Sequence, residues 1–242
     1  MRPFVPFGPD HLAVVGALVT LAAALVVSRS RLQTMDDRGI RWVLAAVLCG
    51  NEAAAFVVAL AHGVVVVPLQ LCDLALAVAV WALVTLQRSV AQIAYCWALA
   101  GSVQAILTPD LVWGFPSYWW IQFFLSHGVV VLSVLYLALT GRVALTPAAV
   151  WKIWGLTNVY AAAAGAFNWT YGTNLGYLAQ KPAQPSLLDY MGPWPQYLMT
   201  MEAAALALFF LCYLPFRLAH RNCRWTTPVS ADSPPPRSSH RH

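Results

Sequence analysis

Apolar residues along this chain fall into long blocks, and the short segments between them hold nearly all of the arginines. A helix needs about 20 apolar residues to cross a hydrocarbon core about 30 Å thick. Seven blocks approach that length: His11–Ser28, Arg41–Ala61, Val65–Leu86, Val90–Leu107, Tyr118–Thr140, Ala149–Asn168 and Trp194–Leu214. The pattern predicts an all-α membrane protein with seven transmembrane helices. Arg29, Arg31, Arg38 and Arg41 follow the first block, Arg88 the third, Arg142 and Lys152 the fifth, and Arg217, Arg221, Arg224, Arg237 and Arg241 the seventh. Only Arg2 and Lys181 fall on the other side. Cytoplasmic loops collect basic residues, so the N-terminus is expected outside and the C-terminus in the cytoplasm.

Aromatic residues fit the same frame. Trp113, Phe115, Tyr118, Trp119 and Trp120 gather at the expected outer boundary, where Trp194 and Tyr197 open the last block. Trp42, Trp151 and Trp154 mark the inner one, at headgroup level. The connection from Tyr171 to Pro193 is long and rich in Gly, Pro and Asn, which predicts a cap over the outer face. Residues 1–215 read as one transmembrane domain. Residues 216–242 read as a basic, Pro/Ser-rich, disordered cytoplasmic tail.

Composition narrows the class further. Hydrophobic residues make up 60% of the chain and charged residues 10%, and mean hydropathy is +0.64, so most of the apolar surface must face lipid. The net charge of +5 is spread over loops and tail, which excludes a nucleic-acid-binding patch. Five cysteines show neither CxxC spacing nor a disulfide framework, and the six histidines are scattered, so no metal and no cofactor is expected. The first block lacks a basic leader and a small-residue cleavage site, and reads as a retained helix. A bacterial plasma membrane is the expected location, with membrane lipids as partners and a lipid or small polar molecule as ligand.

Against this background six side chains stand out: Glu52, Cys72, Asp73, Gln104, His127 and Glu202. A charge at mid-bilayer costs about 2.5–3.5 kcal/mol, and each Leu or Val returns only about 0.3–0.6. At 1.5 Å per residue, Cys72, Asp73, Glu202, Glu52 and His127 are expected about 10–13 Å below the outer ends of their blocks. Gln104 and Asn168 are shallower. Ionisable residues at a shared depth point to a functional pocket. Gln104, Asn158 and Asn168 equally suit polar packing between helices. Cys49, Cys96 and Cys212 read as small apolar fillers.

The segments Pro68-Leu69-Gln70-Leu71-Cys72-Asp73, Gln104 to Asp110, Phe115-Pro116, His127-Gly128, Asn174 to Leu178, Lys181-Pro182 and Gly192 to Tyr197 before Glu202 resemble the YwaF-type integral membrane proteins of bacteria. That family is distantly similar to animal multi-pass acyltransferases that remodel ether phospholipids with a membrane-embedded cysteine and histidine. The resemblance implies Cys72 as nucleophile and His127 as general base. Glu52 or Glu202 would orient the base, and Gln104 and Asn168 would stabilise an oxyanion. Gln70 stands where the family pattern usually has a histidine. The acid-rich surroundings suit a cation or a hydrogen-bonded network better than an unassisted thiolate.

Two other classes compete. A small-solute carrier with a 3+1+3 arrangement of parallel repeats would explain the Pro-Leu-Gln at Pro68 and the Pro-Gln at Pro195, each opening a block. A ligand-binding sensor would signal through the basic tail, which can also associate with anionic headgroups.

Overall fold

The computed structural model describes residues 2–64 and 67–224. Among them the chain is helical with no strand; Pro3 and Trp113 form one isolated bridge. Seven helices carry the fold: α1 (Pro9–Val27), α2 (Arg38–Ala61), α3 (Leu71–Thr85), α4 (Arg88–Leu107), α5 (Tyr118–Leu139), α6 (Pro147–Tyr171) and α7 (Gln196–Arg224). Short turns at Arg29–Leu32, Leu175–Tyr177 and Leu187–Met191 lie in the connections. Five helices, α1, α2, α4, α5 and α7, are long and apolar enough to cross a membrane. The 15 residues of α3 rise only about 22 Å, less than a hydrocarbon core. Helix α6 is long enough but less apolar, since Lys152, Asn158 and Asn168 interrupt it. The tail beyond Arg224 and the start of the third block at Val65 lie outside the described residues.

The third block departs from its expected form. Residues 67–70 are not helical, and the helix starts at Leu71. Gln70 is its extended N-cap, and the Asp73 carboxylate accepts the Gln70 N–H at 2.9 Å. This reaching back of the N3 side chain to the cap fixes the start of a helix. Cys72 and Asp73 therefore sit in the first turn of α3 and not two turns into it.

Small residues hold the centre together. Ala75, Ala79 and Ala82 of α3 and Ala91, Ala94 and Ala98 of α4 are all fully buried, which lets the two backbones approach closely. A two-residue turn with Leu86 in the left-handed region joins the helices. Residues Ala98–Ser102 of α4 form a π-helical segment, which widens the turn next to α5. Helix α5 packs mainly against α1, α2, α3 and α4; α6 packs on α7, and both reach the rest through α4.

At the end where residues 28–37, 86–87 and 140–146 meet, a buried charge network ties four elements. Asp37 pairs with Arg41 at 3.1 Å and Arg142 at 2.8 Å, and the Tyr136 hydroxyl donates to it at 3.0 Å. Arg41 also donates to the Leu83 carbonyl at the foot of α3. Near the opposite end, His11 is buried with both ring nitrogens engaged: Nδ1 accepts the Phe7 N–H at 2.9 Å and Nε2 donates to the Ile106 carbonyl at 2.8 Å.

Candidate functional site

The start of α3 is recessed among its neighbours. Glu52 lies nine residues before the end of α2, about 13 Å along the axis, yet it is within electrostatic range of Asp73 in the first turn of α3. Tyr160 lies 11 residues before the end of α6, about 17 Å along, and its hydroxyl donates at 2.9 Å to the carbonyl of Leu69. Two independent helices thus place the α3 entry well below their own ends. The extended segment before Gln70 does what helical turns were expected to do.

Cys72 occupies the floor of this recess. Its Sγ lies 3.9 Å from Asp73 Oδ1, within reach as a thiol donor, and its own backbone N–H lies close by, while the Asp73 N–H donates to the Gln70 carbonyl at 3.0 Å. Glu52 stands in range of the same pair, and Tyr118 of α5 lies within range of Glu52. Tyr160 and Tyr177 are each in electrostatic range of Cys72. The cluster joins α2, α3, α5 and α6 with the long connection.

That connection folds back into the bundle. Asn168 is buried and fully committed to it: Oδ1 accepts the Leu175 N–H at 2.7 Å and the Thr173 hydroxyl at 2.8 Å, and Nδ2 donates to the Leu175 carbonyl at 3.0 Å. The Gly176 N–H donates to Gln70 Oε1 at 2.8 Å, which seats the turn directly on the α3 entry. Gly176 has φ +64, and a Cβ there would lie 3.6 Å from the Tyr160 hydroxyl. Tyr177 donates to Asp110 at 3.2 Å, and its carbonyl accepts the Tyr197 hydroxyl. Burial, then the Asp110 charge, pushes the Tyr177 hydroxyl above the usual tyrosine range and keeps it a donor.

The remaining expected residues distribute differently. His127 is buried on α5, its Nδ1 donates to Phe123 O at 2.8 Å, and its ring stacks on Phe123 at 4.1 Å. Tyr118 and His127 are nine residues apart, two and a half turns, and so lie on opposite faces of α5. His127 shares its stripe with Trp120, Phe124 and Val131, and the next residue, Gly128, faces Leu18 of α1. Among the described residues no hydrogen bond joins His127 to Cys72 or a carboxylate. Glu202 accepts from Asn158 Nδ2 at 3.1 Å, so Asn158 belongs to the α6–α7 seam with Glu202. Gln104 is half-buried, and only its backbone carbonyl is engaged, by Thr108.

Sequence reasoning missed Tyr160, Tyr177, Tyr118 and Asp110. Tyr118 read as an interfacial anchor, Tyr177 stood only inside a quoted motif and Tyr160 carried no signal, and only the fold brings the Tyr160 hydroxyl to the α3 entry. Asp110 stood inside a quoted motif but carried no signal of its contact with a tyrosine 67 residues away.

Buried polar side chains converging on a recessed helix start, within a set of lipid-length apolar helices, define a multi-pass helical membrane protein. A model of the TMEM164 family matches residues 6–213, and the chain belongs to the TMEM164 family. No curated protein and no solved structure matches the chain.

Proposed function

We propose that the protein acts on the acyl groups of membrane lipids through Cys72, in a polar recess opening to the outer half of a bacterial plasma membrane. In this reading all seven helices are membrane-embedded, with the N-terminus outside and the C-terminus in the cytoplasm. Arg29, Arg31, Arg38, Arg88, Arg142 and Lys152 at one end of the bundle support that orientation. The observation that carries the chemical reading is Cys72 Sγ in the first turn of α3, 3.9 Å from the Asp73 carboxylate and beside its own N–H. A helix start favours a thiolate, and Asp73 is the proton acceptor within reach of the sulfur.

The steps balance without a further reagent. Asp73 takes the thiol proton, and the sulfur attacks the carbonyl carbon of a lipid ester. The oxyanion leans on the Cys72 N–H, the Asp73 N–H being held by the Gln70 carbonyl, and the ester C–O bond breaks. The leaving alkoxide recovers the proton from Asp73, which releases a lysolipid. A second alcohol, or water, then takes the acyl group from the thioester. Glu52 supports the network, and Tyr160 and Tyr177 line it. The likeness to YwaF-type proteins and to cysteine-dependent acyltransferases supports Cys72; the position of His127 supports Asp73 over His127 as the proton acceptor. The carrier reading is less well supported, because a 3+1+3 protein packs its fifth helix with the sixth and seventh, and α5 packs with α1–α4.

Lipid mass spectrometry of a gene-deleted strain complemented with wild type, Cys72→Ser or Asp73→Asn tests this. Wild type is expected to shift the acyl composition, and both variants, inserted at normal levels, are expected to leave it as in the deletion. A Cys72→Ser strain with the wild-type lipid pattern overturns the reading.

A further inference from the structure

At the basic end of the bundle, far along the helices from Cys72, α4 and α6 begin side by side and leave a groove of about 370 Å³ between them. Its composition changes along the helix axes. Ser89 in the first turn of α4 and Thr146 at the cap of α6 lie at the helix starts, Gln92 and Lys152 sit beside Ile93 and Ile153 one to two turns in, and Leu156 lies deepest. From Thr146 at the start of α6 to Leu156, polar gives way to apolar over about 15 Å. A headgroup–acyl boundary has that profile.

Charge selects the occupant. Lys152 is exposed and makes no ion pair among the described residues, Arg88 opens the neighbouring helix, and no carboxylate lines the groove. A zwitterionic headgroup would bring its ammonium beside Lys152 with no carboxylate in the lining to offset it. We propose that the groove seats an anionic glycerophospholipid, its phosphate on Lys152 and Ser89 and one acyl chain along Ile93, Ile153 and Leu156. The lysine stem lies along the apolar wall, and its ammonium reaches the headgroup level. The proposal is independent of the chemistry at Cys72.

The full-length protein, reconstituted in nanodiscs of equal phosphatidylglycerol and phosphatidylcholine and released for native mass spectrometry, provides the test. Wild type is expected to retain phosphatidylglycerol about fivefold over phosphatidylcholine, from the roughly 1 kcal/mol that one basic residue at the surface supplies. Lys152→Glu is expected to abolish the preference, and Arg29→Glu, the same charge change away from the groove, to keep it. Ile153→Trp, which fills the apolar wall, is expected to lower retention of both lipids. The proposal is overturned by an unchanged preference in Lys152→Glu or by release of the lipid with millimolar inorganic phosphate. A dimer signal that Ile153→Trp removes would overturn it as well, and would assign the groove to a second copy of the chain.

Discussion

His127 and Cys72 show how one polar residue in an apolar helix can serve two unlike purposes. Both cost free energy to bury, and both were expected at the same depth. His127 satisfies its Nδ1–H on the carbonyl one turn back and stacks on Phe123, which makes it an ordered packing element. Cys72 lies among groups from four elements. His127→Phe, which keeps the ring and the stack, is therefore expected to insert, fold and leave the acyl composition at the wild-type pattern in lipid mass spectrometry. A loss equal to that of Cys72→Ser would return the base role to His127. The position of His127 along α5 was legible in the sequence because it follows from counting residues along a helix, whereas the count for Cys72 ran through residues that are not helical. The face on which His127 lies was not legible, because the azimuth of α5 is set by packing against α1, α2, α3 and α4.

At the scale of elements, the decisive piece is the shortened α3 with the connection seated on its entry. Pro68, Gln70 and Asp73 interrupt the block that begins at Val65, but the apolar residues around them outweighed these breaks when only hydropathy was counted. Asn168 supplies three hydrogen bonds that hold the turn at Leu175 in place. Asn168→Ala leaves the Leu175 N–H unpaired, at a cost of about 1–3 kcal/mol where it stays buried, while the Leu175 carbonyl keeps the Leu178 N–H at 3.3 Å. The expected outcome is faster protease cleavage between Leu178 and Met191 in detergent, with the helical bundle intact by circular dichroism. Gly176→Ala tests the same seat from the other side, since its φ of +64 is strained for a residue with a Cβ.

For the whole molecule, Asp37 is the strongest single fastener. It pairs with both Arg41 and Arg142 and accepts from Tyr136, so the start of α2, the end of α5, the α5–α6 connection and, through Arg41, the foot of α3 all meet at one carboxylate. Removing one partner of a buried pair leaves an uncompensated charge, at about 3–5 kcal/mol. Asp37→Ala is expected to lower the thermal midpoint in detergent well beyond Asp36→Ala, whose side chain makes only an exposed bond to the Arg38 N–H. Composition and the length of apolar runs determined by themselves that this is a helical membrane protein, where its helices lie apart from the start of α3 and the end of α7, and which costly side chains required an explanation. These are one-dimensional properties: the bilayer reads hydropathy along the chain, and helix rise converts position to depth. Which costly side chains meet was decided only by tertiary structure. A helix can rotate about its axis without changing its hydropathy, and the contacts that fix the rotation join residues about 70–110 positions apart, as Asn51 to Gln122, Tyr160 to Leu69 and Gln70 to Gly176 do.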